Sequence, residues 1–506
     1  MSKTIEIMDT TLRDGEQTSG VSFSSSEKLK IAQLLLKELR VDRIEVASAR
    51  VSEGEFQAVK TITSWAANEQ CLEAVEVLSF VDGGVSIQWI QQAGAKVQNL
   101  LTKGSLNHLT HQLKKTPAQH FKEVCDSIKL AHKHGIQTNV YLEDWSNGMK
   151  NSKEYTLEFI DYLSNLPVKR IMLPDTLGVL TPMESYKFIH EIRLRHPNLH
   201  FDFHAHNDYD LSVGNVIEGI RAGIDGVHLT INGMGERAGN APLASTIAVI
   251  NDFLPQYKTN VNEEALYSVS KLVENFSAFS IPVNKPVVGA NVFTQTAGIH
   301  ADGDSKNNLY FNDLMPERFG RKRKYALGKT SGKANIAKNL EDLGLVLKDE
   351  EIKKVTQRII ELGDKKQTVT QEDLPYIISD VLDQQSIVER VKIDSYVLSH
   401  ASGLKPSATL KLSFEEKSYE AHAQGDGQYD AFINALHIVF HELNIELPKL
   451  IDYVVRIPPG SNSDALCETL ITWSTQEKTF ITRGLDSDQT VSAIMATQKM
   501  LNTLIK

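Results

Sequence analysis

The sequence predicts an α/β protein, with a (β/α)8 TIM barrel in the first half, a helical linker subdomain after it, and a C-terminal α+β domain. Three observations predict the barrel. Short β-rich runs alternate with amphipathic helical stretches, and the alternation occurs eight times. Eight such units occupy about 250 residues, the span that a barrel of this kind needs. A doubly wound sheet is the alternative, but it would normally carry a glycine-rich phosphate loop after its first strand, and LRDGEQ stands there instead.

In chain order the runs are IEIMDTTL, RIEVAS, AVEVLSFV, KVQNLLT, QTNVYLED, RIMLPDT, HFDFHAH and GVHLTING. Each is followed by a helix candidate, such as the stretches Ser26 to Arg40 and Thr181 to Arg195.

Composition narrows the function. The 506 residues carry 54 Lys and Arg against 64 Asp and Glu, a net charge of −10. That balance argues against nucleic acid as a main partner, because phosphate binding needs clustered cations. The basic run from Arg318 to Lys324 is the exception and is expected to be a solvated or interface surface. Cys71, Cys125 and Cys467 lie far apart, which suggests neither a disulfide framework nor a thiolate metal site and fits a reducing cytoplasm. The N-terminus lacks the apolar core of a signal peptide, and no stretch is long and apolar enough to span a membrane.

In a barrel of this class the chemistry sits at the C-terminal ends of the strands. The polar residues fall there: Arg13 and Asp14 in the first unit, Glu143 in the fifth, Asp175 and Thr176 in the sixth, His204 and His206 in the seventh, Asn232 and Asn240 in the eighth. His204 and His206 are two apart in a strand, so their rings share a face. Asp14 tops the first strand, which neighbours the eighth when the barrel closes. Asn240 can add a carbonyl oxygen. Oxygen and imidazole donors without thiolate suit Mg, Mn, Co or Zn and leave positions open for substrate.

At these residues the chain resembles the isopropylmalate, homocitrate and citramalate synthase family. The motifs are LRDGEQ at 12–17, HAHND at 204–208 and GERAGNAPL at 235–243, with AGIHADG at 297–303 and GDGQYDAF at 425–432 extending the likeness over nearly the whole chain. The resemblance implies aldol-type addition of acetyl-CoA to a 2-oxo acid followed by thioester hydrolysis. A divalent metal would be held by Asp14, His204, His206 and Asn240. Arg13 would stabilise charge on the keto oxygen, Asp14 and Gln17 would face the substrate, and Thr176 would donate to its carboxylate; the alternative for Thr176 is a helix N-cap. Glu143 shares strand parity with Tyr141 and Asn139, so it is expected at the barrel mouth as an orienting group or base. His300 and Tyr310 match a catalytic histidine and tyrosine that the family delivers from the partner subunit, which implies a homodimer.

Leu78, Leu101 and Tyr141 end the third, fourth and fifth runs. Three bulky apolar groups there leave room for a methyl and none for a second carboxylate, which matches the pyruvate pocket of the family's citramalate branch. An isopropylmalate-forming enzyme is the runner-up, and it would require Leu78 or Tyr141 to point elsewhere. A lyase on the same barrel usually lacks so long a C-terminal extension. A catalytically dead amino-acid sensor would lack Asp14, His204 or His206, and all are present.

Residues 1–283 are assigned to the barrel, 284–388 to an arm and helical subdomain, and 389–506 to the C-terminal domain. The last holds a weak repeat of three β-like runs and a helix, with Asp426 and Asp488 each five residues before Ala431 and Ala493. By resemblance this domain binds the pathway's end-product amino acid, isoleucine for a citramalate-forming enzyme and leucine for an isopropylmalate-forming one.

Overall fold

The computed structural model describes residues 2–297, 299–300, 303, 309–364, 369–382, 390–415, 417–456, 467–476 and 479–504. Eight parallel strands close into a barrel: β1 (Glu6–Asp9), β2 (Arg43–Ser48), β3 (Val75–Phe80), β4 (Val97–Lys103), β5 (Gln137–Glu143), β6 (Arg170–Asp175), β7 (Phe201–Ala205) and β8 (Gly226–Leu229). Closure comes from β1, which pairs with β2 on one side and with β8 on the other, Glu6 opposite Gly226. Each predicted run matches one strand, β4 extending one residue beyond its run to Lys103.

Outer helices cover the strands, so both strand faces are buried, as parallel sheets require. Local signals start several helices. Ser24 with Glu27, Thr116 with Gln119 and Thr181 with Glu184 form reciprocal capping boxes, and Pro117 and Pro182 occupy first-turn positions where no N–H is needed. The helix after β6 therefore begins at Pro182 under Thr181, and Thr176 is not its cap.

Barrels of this class usually fill their interior with branched aliphatic side chains. Here the inward positions of the lower layers are polar: Arg43 and Glu45 on β2, Glu76 on β3, Asn99 on β4, Asn139 on β5, Asp202 on β7 and His228 on β8, all buried. Arg43 pairs with Glu76 at 3.1 Å and with Asp202 at 2.7 Å. Unpaired charge in such a place would be strongly destabilising.

The chain divides into two compact units, residues 1–293 with 312–322, and residues 294–311 with 323–506. Within the basic run Lys322 and Lys324 are exposed, as expected of a solvated surface, but the arginines are engaged. Arg318 pairs with Asp252 and Glu263, and the Arg321 guanidinium donates to the carbonyls of Val287 and Gly289 and lies 4.4 Å from the centre of the Tyr267 ring. Arg323 stacks on Phe311. These cations serve folding, which a count of charges along the chain does not reveal.

In the second unit, helices Lys333–Leu343, Asp349–Asp364 and Leu374–Leu382 pack around Ile336, Leu340, Val355, Ile359 and Leu374. Two βββα repeats follow. Strands Val391–Ser399, Ser407–Phe414 and Lys417–Gln424 lead into helix Gln428–Glu442, and strands Lys449–Arg456, Cys467–Ser474 and Thr479–Asp486 into helix Gln489–Leu504. Both sheets are antiparallel meanders, and the matched Ala431 and Ala493 are fully buried in one shared core.

Candidate active site and metal centre

The loop after β1 presents Arg13 and Asp14 and is fastened from beneath. Lys28, fully buried, holds Glu16 and Glu55 at 2.6 Å each and donates to the Leu12 carbonyl. The side chain of the neighbouring Gln17 is exposed.

Asp14, His204 and His206 converge. Asp14 Oδ2 lies 3.3 Å from His204 Nε2 and 3.7 Å from His206 Nε2, and each side chain is almost wholly buried. Such separations suit donors sharing one ion with bonds of about 2.1 Å. Asn240 donates its Nδ2 to Asp14 Oδ2 at 2.7 Å and to the Met234 carbonyl at 3.0 Å. Its Oδ1 is buried without a protein partner. A buried acceptor with nothing to accept is costly, and a cation beside Asp14 would satisfy it, so these residues fit a divalent metal. The glycines of GERAGN make this approach possible. Gly235 has φ 151°, and a Cβ there would stand 2.3 Å from Asn240 Nδ2; at Gly239, φ 82°, a Cβ would stand 1.9 Å from the Gly233 carbonyl oxygen.

Electrostatics prepare the same donors. Burial would raise the Asp14 carboxyl, but Arg13 and the two imidazoles outweigh it and hold the group well below the carboxylate range. Burial lowers His204, and burial together with His204 pushes His206 down to about 4. The set is therefore one carboxylate and two neutral imidazoles at neutral pH, the forms that bind metal.

Arg13 is locked in place. Its Nε donates to Glu45 Oε2 at 2.6 Å, Nη1 to Asp14 Oδ1 at 3.0 Å and Nη2 to the Tyr141 hydroxyl at 3.3 Å. Glu45 is held in turn by Thr10 at 2.9 Å and by Asn99 at 2.8 Å, and Asn99 accepts from Asn139. Although burial opposes it, the paired carboxylates keep the guanidinium charged. Beside Arg13, Met8, Leu78, Tyr141 and Met172 form a separate apolar cluster inside the barrel, with Phe80 and Leu101 packed against it. The three residues expected to form a wall are thus together, although Tyr141 is apolar only in its ring. Its hydroxyl lies 3.0 Å from His228 Nδ1 and 3.4 Å from Glu45.

Glu143 ends β5 and pairs with Lys103, the last residue of β4, while His108 stands 4.0 Å away. Thr176 accepts from the Asp144 N–H at 2.9 Å, which leaves its own proton free to donate outward. Asp144 is buried at φ 62°, a strained conformation for a residue with a side chain, and is held there by Ser105 at 2.6 Å and Asn147 at 2.8 Å. His300 and Tyr310 lie in the second unit, their rings 4.3 Å apart.

Sequence reasoning missed Glu45, Lys103, Asp144 and His228. Glu45 had a signal, since with Arg43 it is one of two charged residues of inward parity in the run RIEVAS. Nothing local marks Asp144, whose conformation is imposed by neighbours on other strands.

The HMGL-like family matches residues 4–273, a homocitrate synthase post-HMGL domain matches 287–367, and the LeuA allosteric (dimerisation) domain matches 368–505. An (R)-citramalate synthase of Methanocaldococcus jannaschii is 31% identical over 503 residues, 99% of each chain. The chain belongs to the citramalate and 2-isopropylmalate synthase family. A putative (R)-citramalate synthase of Archaeoglobus fulgidus is 33% identical, again over 99% of each chain. The 2-isopropylmalate synthase of M. jannaschii is 31% identical over 99% of this chain and 95% of its own. Identities of 31–33% do not separate the two kinds of synthase.

Proposed function

We propose that this enzyme condenses acetyl-CoA with pyruvate and hydrolyses the thioester, giving (R)-citramalate and CoA. The observation that carries the choice of acceptor is the closed apolar wall of Met8, Leu78, Tyr141 and Met172, with Phe80 and Leu101, directly beside Arg13. The guanidinium groups beside that cluster, Arg13 and Arg43, are already paired with Asp14 and Glu45 and with Glu76 and Asp202, so a second carboxylate on the acceptor would have to compete with those carboxylates. The methyl of pyruvate suits it.

In the reaction a base takes one proton from the acetyl methyl group. The resulting carbon adds to the keto carbon, and the alkoxide formed takes up a proton. Water then splits the thioester into a carboxylate and the CoA thiol. A divalent ion held by Asp14, His204, His206 and Asn240 would polarise the keto group and orient the acid. Arg13, fixed by Glu45 and Asp14, stabilises charge growing on the keto oxygen. Thr176 donates to the substrate carboxylate. Glu143 orients the acceptor or acts as base, its charge matched by Lys103, and Gln17 flanks the bound substrate. His300 and Tyr310 act on a neighbouring barrel in a cytoplasmic homodimer, and isoleucine bound by the C-terminal repeats inhibits the reaction.

The isopropylmalate reading is favoured only by the similar identity to both kinds of synthase. CoA release with acetyl-CoA and Mn or Mg, measured in parallel with pyruvate, 2-oxobutyrate and 2-oxoisovalerate, separates the two. Preference for pyruvate supports the proposal, and preference for 2-oxoisovalerate moves the enzyme to leucine synthesis. No release with any of them favours an amino-acid sensor.

A further inference from the structure

A chain of buried polar groups runs up the barrel axis beneath the apolar wall. Asp202 Oδ2 lies 2.7 Å from an Arg43 nitrogen and 3.1 Å from His228 Nε2, and His228 Nδ1 lies 3.0 Å from the Tyr141 hydroxyl. That hydroxyl accepts from Arg13 Nη2 at 3.3 Å. Asp202 and His228 are fully buried and Tyr141 is 3% exposed. Water therefore does not compete for these bonds, and each group depends on the next.

The order of donors follows from chemistry. Asp202 lies against the Arg43 guanidinium and accepts from it at 2.7 Å. A carboxylate only accepts, so His228 Nε2 carries the proton that faces it. His228 in that tautomer has no proton on its other ring nitrogen. Its Nδ1 is then an acceptor, and the Tyr141 O–H must donate to it. The longer approach of Tyr141 to Glu45, 3.4 Å, is toward an oxygen already taken by Arg13 and Thr10. The Tyr141 proton thus points down the barrel while its oxygen lone pairs face the guanidinium. The ring stands edge-on to both His228 and His204, with centroids 5.5 and 6.2 Å away.

We propose that the Asp202–His228 pair is a positioning device for the acceptor pocket: by taking the Tyr141 hydroxyl proton it fixes the ring and so sets how large a 2-oxo acid fits beside Arg13. This rests on the reading that the Arg13 and Tyr141 face receives the 2-oxo acid. Neither residue touches substrate. Both act through Tyr141.

The test is a double-mutant cycle read as acceptor preference, the ratio of kcat/KM for pyruvate to that for 2-oxobutyrate. His228→Leu removes the acceptor and should lower the ratio about tenfold, the effect of one lost hydrogen bond. Tyr141→Phe should lower it similarly, and adding His228→Leu to Tyr141→Phe should change it no further. His228→Asn keeps an acceptor near the Nδ1 position and should restore most of the preference; it also serves if His228→Leu does not fold. A ratio unchanged in folded His228→Leu or Tyr141→Phe, or an equal further drop in the Tyr141→Phe background, overturns the assignment alone. A wild type that releases no CoA with any 2-oxo acid overturns the reading of the site and the assignment with it.

Discussion

If Asp14, His204 and His206 hold a divalent ion, the affinity should fall much less between pH 7 and pH 5 than ordinary histidine ligands would allow. An ordinary histidine titrates near 6.5, so a single such ligand would weaken binding about 30-fold at pH 5, and two would weaken it about a thousandfold. His206 is pushed down to about 4 by burial and by His204. At pH 5 it is then about nine-tenths neutral, and its protonation costs only about 1.1-fold in affinity. His204 is lowered in the same direction by burial, and Asp14 is held ionised by Arg13 and the imidazoles. The total loss between pH 7 and pH 5 should therefore stay below the 30-fold of a single ordinary histidine, with few protons released by the ligands on binding. Titration calorimetry of the chelator-stripped protein with Mn at both pH values, in buffers of different ionisation enthalpy, measures both quantities. A loss of 30-fold or more, with proton release near one, would show that the histidines titrate normally and refute the preorganised site.

The same depression has a cost in stability. Because the folded His206 binds its proton more weakly than the unfolded chain does, its contribution is fully present above about pH 6.5 and is lost as pH falls toward 4, about 2 kcal/mol at pH 5. Metal-free His206→Asn should therefore lose about that much less stability than wild type between pH 7 and 5 in urea unfolding; parallel losses would contradict it. Leu78→Ala should open the wall and shift kcat/KM from pyruvate toward 2-oxoisovalerate by about 10- to 200-fold, and an unchanged ratio would remove Leu78 from the pocket. Thr176→Val should raise KM for the 2-oxo acid about tenfold or more at unchanged metal affinity, as steady-state kinetics and calorimetry together would show. His300→Ala should abolish CoA release while 2-oxo acid binding persists, and wild-type turnover would exclude the role proposed for it.

Which parts of this were legible in the chain follows from the range of the interactions. Periodicity and turn residues are local, so the eight strand and helix units and the two C-terminal βββα repeats could be read directly. His204 and His206 share a face because strand geometry has a period of two, and Asp14 joins them because a closed barrel brings its first and last strands together. Leu78, Leu101 and Tyr141 could be assigned to one wall on the same logic of strand ends. Period two shows which way a side chain faces but not what faces it from across the barrel. Arg13 meets Tyr141 from 128 positions away, and Arg43 meets Asp202 from 159. The sequence therefore offered Tyr141 as a bulky group, and only the closed barrel shows that its hydroxyl is shared between Arg13 and His228. The strain at Asp144, the burial that lowers His206 and the partners that absorb Arg318 and Arg321 arise in the same way. Each depends on which distant groups are packed alongside and on how much water they exclude, and no local pattern along the chain carries that information.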